Sequence, residues 1–180
     1  MIHSITTPKT LPVSVMAAKN YLKIDHDDED ASIKQLIESA TGLVEQETGQ
    51  TLLTRTWHIR SSGVDTADGA IRVCLPYPPL ISITSVAAIV SSTITRPLEN
   101  YTVEWERPIP SLKIFSLSKS FDIVYKAGYG DRDLDLPPPL QQAILLLVAD
   151  MYEQRTATIK IDSNALVRAL LRPYCQPPFS

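Results

Sequence analysis

Residues 136–155 read LPPPLQQAILLLVADMYEQR, and this stretch predicts a buried helix. Prolines are tolerated in the first turn of a helix, because the backbone N–H groups there have no intrahelical partner. Every side chain from Ala143 to Ala149 is apolar. A surface helix needs only one apolar stripe, so a helix that is apolar all the way round is predicted to be covered on every side.

The second face of this helix is covered either by the rest of the fold or by another copy of the protein. Contact with another copy would require an apolar face that the rest of the fold leaves uncovered, and this helix could supply one. The helix residues that we assign to the core or to a subunit interface are Leu140, Ile144, Leu147 and Met151.

The composition is typical of a soluble globular protein. The hydrophobic fraction is 44% and the formal net charge is −3, with no basic run to indicate binding of duplex DNA. Two cysteines are too few for a disulfide framework, which fits a reducing cytosol. We expect no secretion signal and no membrane span, because the N-terminus lacks an apolar segment and the central helix has far fewer than about 20 consecutive apolar residues.

Apolar periodicity divides one predicted domain, residues 1–180, into helical and extended parts. The parts are N-terminal helices at 10–50, a β-rich insertion at 51–126, a central helix at 137–156, and a C-terminal helix with a docking tail at 163–180. The predicted fold class is α+β. It has a mainly helical core, made of the N-terminal helix pair, the long central helix and the C-terminal helix, with an inserted antiparallel β-region.

Local signals predict several helix ends. Ser14 can cap the first helix, Asp27 or Asp28 the second, and Ser163 the C-terminal one. Gly49 follows the second helix, where a residue with positive φ is expected.

No constellation of residues predicts a catalytic, cofactor or metal site. The acidic run DHDDED at 25–30 lacks the glycine of an EF-hand loop and is interpreted as a helix start. The GYG at 128–130 is only part of a dinucleotide fingerprint. The three histidines, His3, His26 and His58, show no metal-binding spacing, and no GxSxG motif supports a hidden triad.

The C-terminal segment combines a basic pair with aromatic side chains. Arg168 and Arg172 lie one helical turn apart and form either a solvated face or a contact to an acidic partner surface. Tyr174 and Phe179 follow in a short proline-rich tail, which suggests docking onto another surface.

In their order and spacing, these motifs resemble the head–tail connector proteins of long-tailed bacteriophages, prophages and gene transfer agents, also called adaptor or head-completion proteins. The resemblance covers most of the chain. It rests on VSVMAAKNYLKIDHDDED at 13–30, IESATGLVEQETGQTLLTRTW at 37–57, LPYPPL at 75–80, YKAGYGD at 125–131, the stretch at 136–155, and ALLRPY at 169–174.

The resemblance implies a structural virion component that is not an enzyme and has no cofactor. About a dozen copies would form a ring under the portal, extend the DNA channel and provide the platform for a tail-proximal stopper or tail-terminator protein. Genomic DNA would pass without sequence-specific binding, which the net negative charge suits. The implied location is the head–tail interface of the virion, and the host cytoplasm during assembly, with no membrane.

The resemblance also implies where the portal contact lies. The C-terminal segment commonly faces the portal in this family, which here corresponds to residues 163–179. The residues assigned to this interface are Arg168, Leu171, Arg172, Tyr174 and Phe179. Cys175 departs from the family, in which a basic residue often follows the Pro-Tyr pair.

Two other functions are carried as alternatives. A small cytosolic hydrolase with an unrecognised triad predicts a pocket around His58 or His26. A DNA-binding assembly factor that uses Arg168 and Arg172 predicts salt-dependent affinity for DNA. The lack of a catalytic motif argues against the first, and the acidic balance argues against the second.

Overall fold

The computed structural model describes residues 2–8, 10–91, 94–105, 109–154 and 164–176. Contacts divide the chain into two compact units. Of the described residues, those in 2–8 and 54–129 form a β unit, and those in 10–53 and 130–176 form a helical unit. That residues 1–180 fold as a single domain stays a prediction.

Two helices form the first half of the helical unit. Helix α1, Val15–Leu22, is capped by Ser14, whose side chain accepts a hydrogen bond from the Ala17 N–H at 3.2 Å, which confirms the predicted cap. Helix α2, Asp30–Thr48, ends as predicted at Gly49, where φ is 67°.

Asp27, a predicted cap of α2, binds Lys19 instead. Lys19 is only 4% exposed, and its amine forms ion pairs with Asp27 and, at 2.9 Å, with Asp30. Hydrogen bonds to these two carboxylates raise the pKa of Lys19. One pair ties α1 to the connection before α2 and the other ties it to the first residue of α2, while the N-cap residue Glu29 makes no side-chain cap bond.

Helix α3, Pro138–Glu153, packs against α1, α2 and the C-terminal helix α4, Ala165–Leu171. Leu145 and Leu146, on another face of α3, are half-buried. The predicted helix extends to residue 156, and its last two residues, 155 and 156, lie outside the described residues. The fully buried stripe of α3 consists of Leu140, Ala143, Ile144, Leu147 and Val148.

The described part of the β unit contains nine strands that form two antiparallel sheets. The strands are β1 Ile2–Ser4, β2 Arg55–Ser62, β3 Val64–Asp65, β4 Ile71–Cys74, β5 Leu80–Ile89, β6 Thr95–Pro97, β7 Tyr101–Glu104, β8 Ser111–Ile114 and β9 Ser120–Ala127. The five-stranded sheet has the order β1-β2-β9-β5-β6, and the four-stranded sheet has the order β3-β4-β8-β7.

The two sheets bury a common core. Alternate residues of the central strand β9, namely Phe121, Ile123 and Tyr125, are at most 1% exposed, as the period of a strand requires. Ile123 stands opposite Ile59 of β2 and Val86 of β5. Buried side chains from both sheets form one hydrophobic cluster.

The predicted fold class, a mainly helical core with an inserted antiparallel β-region, is wrong. Of the described residues, 35% are helical, short 3-10 turns included, and 29% lie in strands, which form two antiparallel sheets beside four α-helices. The strands bury their own core, in which Leu112 and Ile114 are 0% exposed. The β-region is therefore a compact unit with its own hydrophobic core.

We expect Leu147→Ala to lower the free energy of unfolding by about 2–5 kcal/mol, because it leaves a cavity in the buried stripe of α3. Urea unfolding followed by circular dichroism measures this change. Leu166→Ala is the matched control, since Leu166 is 55% exposed, and its effect should stay within about 0.5 kcal/mol. Equal effects of the two substitutions would contradict the central role of this stripe.

Candidate partner-binding groove

A groove of about 530 Å³ lies along the exposed face of α4. Ala165, Arg168, Ala169 and Arg172 follow helical spacing and therefore share one face of the helix. The two small alanines leave room for a second backbone, and the two guanidinium groups supply positive charge. The residues that line the groove are Glu47, Ala165, Arg168, Ala169, Leu171, Arg172 and Cys175.

Burial of the opposite face of α4 fixes this orientation. Val167 and Leu171 are at most 1% exposed. The Asn164 side chain accepts hydrogen bonds from two N–H groups of the first turn, at 3.1 and 3.2 Å, and donates to Asp150 of α3 at 2.8 Å. Asn164 is thus the observed cap, while the predicted cap, Ser163, lies outside the described residues.

The chain after α4 is attached to the end of α2. The Tyr174 carbonyl accepts a hydrogen bond from the Gln50 side chain at 2.9 Å, and the Gln176 N–H donates to the Thr48 carbonyl at 3.0 Å. Cys175 lies between these two anchors, and partial burial raises the pKa of its otherwise exposed thiol. The chain is therefore held in the helical unit as far as Gln176.

The predicted interface residues lie in different environments. Arg168 and Arg172 are exposed and line the groove. Leu171 also lines the groove but is only 1% exposed, and Tyr174 is half-buried. Phe179 lies outside the described residues.

Four residues that line the groove are not predicted from the sequence as interface residues: Glu47, Ala165, Ala169 and Cys175. Ala165 and Ala169 lie on the same helix face as the two arginines, so helical spacing alone could have assigned them to the same surface. Glu47 belongs to α2 and reaches the groove only because α2 packs against α4, which no local pattern indicates.

A second cleft, of about 420 Å³, is lined by α2 and the end of α3. Its apolar side chains are Leu36 and Met151, and polar side chains surround them. Of the residues assigned to core or subunit interface, Met151 lines this cleft, whereas Leu140, Ile144 and Leu147 are 0% exposed. The full lining is Glu29, Ser32, Gln35, Leu36, Ser39, Met151 and Tyr152.

The histidine considered as a hydrolase base lies on β2 and contacts two side chains. His58 Nε2 lies 2.6 Å from Asp122 Oδ1, and His58 Nδ1 lies 3.3 Å from His3 Nε2. Both ring nitrogens are thus engaged, and within the described ranges neither meets a serine or cysteine. His26, the other candidate base, is an exposed side chain before α2.

Across the parts of the chain that the structure describes, no three histidine, cysteine, aspartate or glutamate side chains are grouped so that they could hold a metal ion. In the same parts, no helix combines the length and the apolar character that crossing a membrane requires.

Comparison with known proteins gives one family and several similar folds. The sequence model described as head completion protein matches residues 13–161. No curated protein matches the chain. A chain from the neck of an empty gene transfer agent particle, computed with C6 symmetry, has a TM-score of 0.83 at 19% identity, over 100% of this chain and 97% of that chain.

Two further solved structures show the same similarity of fold. A chain from the virion of the native gene transfer agent particle has a TM-score of 0.79 at 20% identity. A chain from the neck of the native particle, computed with C12 symmetry, has a TM-score of 0.75 at 18% identity. Both matches cover 100% of this chain and 97% of the other.

We expect the stabilising contribution of Asp122 to be lost in acid. Burial raises the pKa of Asp122, but hydrogen bonds from His58 and Arg60 outweigh burial and hold this pKa below its ordinary value. A carboxyl with a lowered folded-state pKa stabilises the fold above its unfolded pKa of about 3.9 and loses that contribution as the pH falls through the folded value.

The free energy of unfolding lost on Asp122→Asn should therefore be larger at about pH 7 than at about pH 3 in urea titrations. Asp25→Asn, at an exposed carboxylate, is the control for the change of charge. A loss of unfolding free energy that stays constant with pH, or that Asp25→Asn reproduces, would contradict the predicted contribution of the Asp122 carboxylate.

Proposed function

Because the chain belongs to the head completion protein family, we propose that it is a structural connector between the head and the tail of a phage-like particle. The observation that carries this proposal is the match of that family over residues 13–161. Similar folds in the necks of gene transfer agent particles support it. The protein works by assembly at the head–tail interface of the virion, without catalytic turnover or a cofactor.

The connector is a ring of copies of this chain. The neck structures with a similar fold were computed with C6 and C12 symmetry, which supports a ring of about a dozen subunits.

Neighbouring copies in a ring meet through two different surfaces. We assign one of these surfaces to the cleft of Leu36 and Met151, because each apolar side chain that becomes fully buried contributes roughly 1.5–3 kcal/mol before the cost of association.

The groove along α4 is the contact to the portal protein. Arg168 and Arg172 present guanidinium groups, which bind carboxylates in bidentate geometry. Ala165 and Ala169 leave room between them for a segment of the portal. The portal segment that enters the groove is therefore acidic on the face that meets the arginines.

The tail side of the ring is the platform for a stopper or tail-terminator protein, and genomic DNA passes through the centre. Each copy carries a formal net charge of −3, which the ring multiplies. The passing duplex therefore meets no excess of cations to hold its phosphates. Assembly takes place in the host cytoplasm.

Charge reversal in the groove should weaken portal binding. Arg168→Glu combined with Arg172→Glu should raise the Kd for the portal at least tenfold, which is about 1.4 kcal/mol, in a binding titration. Arg96→Glu, at an exposed arginine on β6, is the matched control and should change the Kd by no more than about twofold. If the double variant keeps its helical content and binds normally, the groove is not the portal contact.

Charge in the cleft should prevent ring formation. Leu36→Asp combined with Met151→Asp would bury unpaired carboxylates between subunits, which costs several kcal/mol. Light scattering and negative-stain images, with and without portal, should show rings for the wild type and for Lys34→Asp, an exposed control on α2, but not for the double variant. Rings of native size from the double variant would refute the role of the cleft, and a wild type that never assembles would refute the ring.

A further inference from the structure

A pair of histidines joins β1 to β2 in the five-stranded sheet and has no role in the proposed function. His3 and His58 are directly opposite each other in the strand register. Their Nε2 and Nδ1 atoms lie 3.3 Å apart, and the ring planes meet at 79° with centroids 4.8 Å apart. Two imidazole nitrogens therefore converge at one edge of the sheet.

The neighbours of His58 fix which of its nitrogens can bind a cation. His58 Nε2 donates its hydrogen to Asp122 Oδ1 at 2.6 Å, and Arg60 holds Asp122 Oδ2 at 2.9 Å. The hydrogen of the neutral imidazole is thereby placed on Nε2, and the Nδ1 lone pair faces His3. A carboxylate that orients a histidine in this way is the usual outer partner of a metal-binding imidazole.

We propose that His3 Nε2 and His58 Nδ1 together bind a divalent transition-metal ion such as Zn²⁺. At a Zn–N distance of about 2.0–2.1 Å, two tetrahedral ligands are about 3.3–3.4 Å apart, which matches the observed separation. Imidazole ligands favour zinc, copper and nickel over Mg²⁺ and Ca²⁺, which prefer oxygen. Water fills the remaining positions, because no third metal-binding side chain joins the pair within the described ranges.

Binding requires one rearrangement within the neutral pair. The hydrogen on His3 Nε2, which now points to His58 Nδ1, moves to His3 Nδ1, so that both facing nitrogens offer lone pairs. No net proton is released from the neutral pair, and no other reactant takes part. The ion then links β1, an exposed three-residue edge strand, to the body of the sheet.

Isothermal titration of the full chain with Zn²⁺ tests the site. A Cys74→Ser, Cys175→Ser background removes both exposed thiols as competing ligands. We expect one Zn²⁺ per chain in this background and a higher Tm with Zn²⁺ than with EDTA. His3→Ala and His58→Ala should each abolish the Tm shift, and Asp122→Ala should weaken binding about 10–100-fold.

His26→Ala is the matched control and should bind Zn²⁺ as the background does. His3 is exposed, so His3→Ala keeps the fold even if His58→Ala does not. The proposal is wrong if the background binds no Zn²⁺, if His26→Ala removes the binding, or if His58→Ala folds and still binds through His3 alone. A Tm shift of equal size with Mg²⁺ would also overturn it.

Discussion

Burial of one stripe of α3 against three other helices holds the helical unit together. Leu140, Ile144 and Leu147 are fully withdrawn from water, and each such side chain contributes roughly 1.5–3 kcal/mol. A single helix cap or exposed ion pair contributes about 1 kcal/mol or less. The same packing positions both proposed contact surfaces, because α3 carries Met151 in the cleft and anchors the cap of α4 through Asp150.

The helices were more predictable from the sequence than the sheets, for a physical reason. The Ser14 cap, the Gly49 terminus and the apolar run of α3 are all signals that lie within one helix. Strand pairing instead joins distant segments, such as β4 with β8, and strands of four residues offer few positions at which alternation can be recognised. The sequence predicts the strand region but not the shared core of its two sheets, so it predicts an insertion where the structure has a compact unit.

The candidate groove was predictable only in part. The positions of Arg168 and Arg172 on one face can be predicted from their spacing along one helix. Glu47 reaches the groove only because α2 and α4, which are far apart in the sequence, pack together. The family resemblance implies Leu171 as an interface residue, and the structure places it in the lining of the groove although it is only 1% exposed. Apolar periodicity marks a face that avoids water and does not distinguish a covering element of the same chain from a partner.

The path of the chain between its two units bears on how subunits are made. The chain enters the helical unit near its start, leaves it for the β unit, and returns to supply α3 and α4. The ribosome adds roughly 5–20 residues per second. The apolar side chains of α2, such as Ile33 and Ile37, are therefore synthesised several seconds before α3, the helix that covers them. A chain that stops early lacks both the groove and half of the cleft. In the proposed connector, such a truncated chain could form neither contact, so a copy must be synthesised through α4 before it can join the ring.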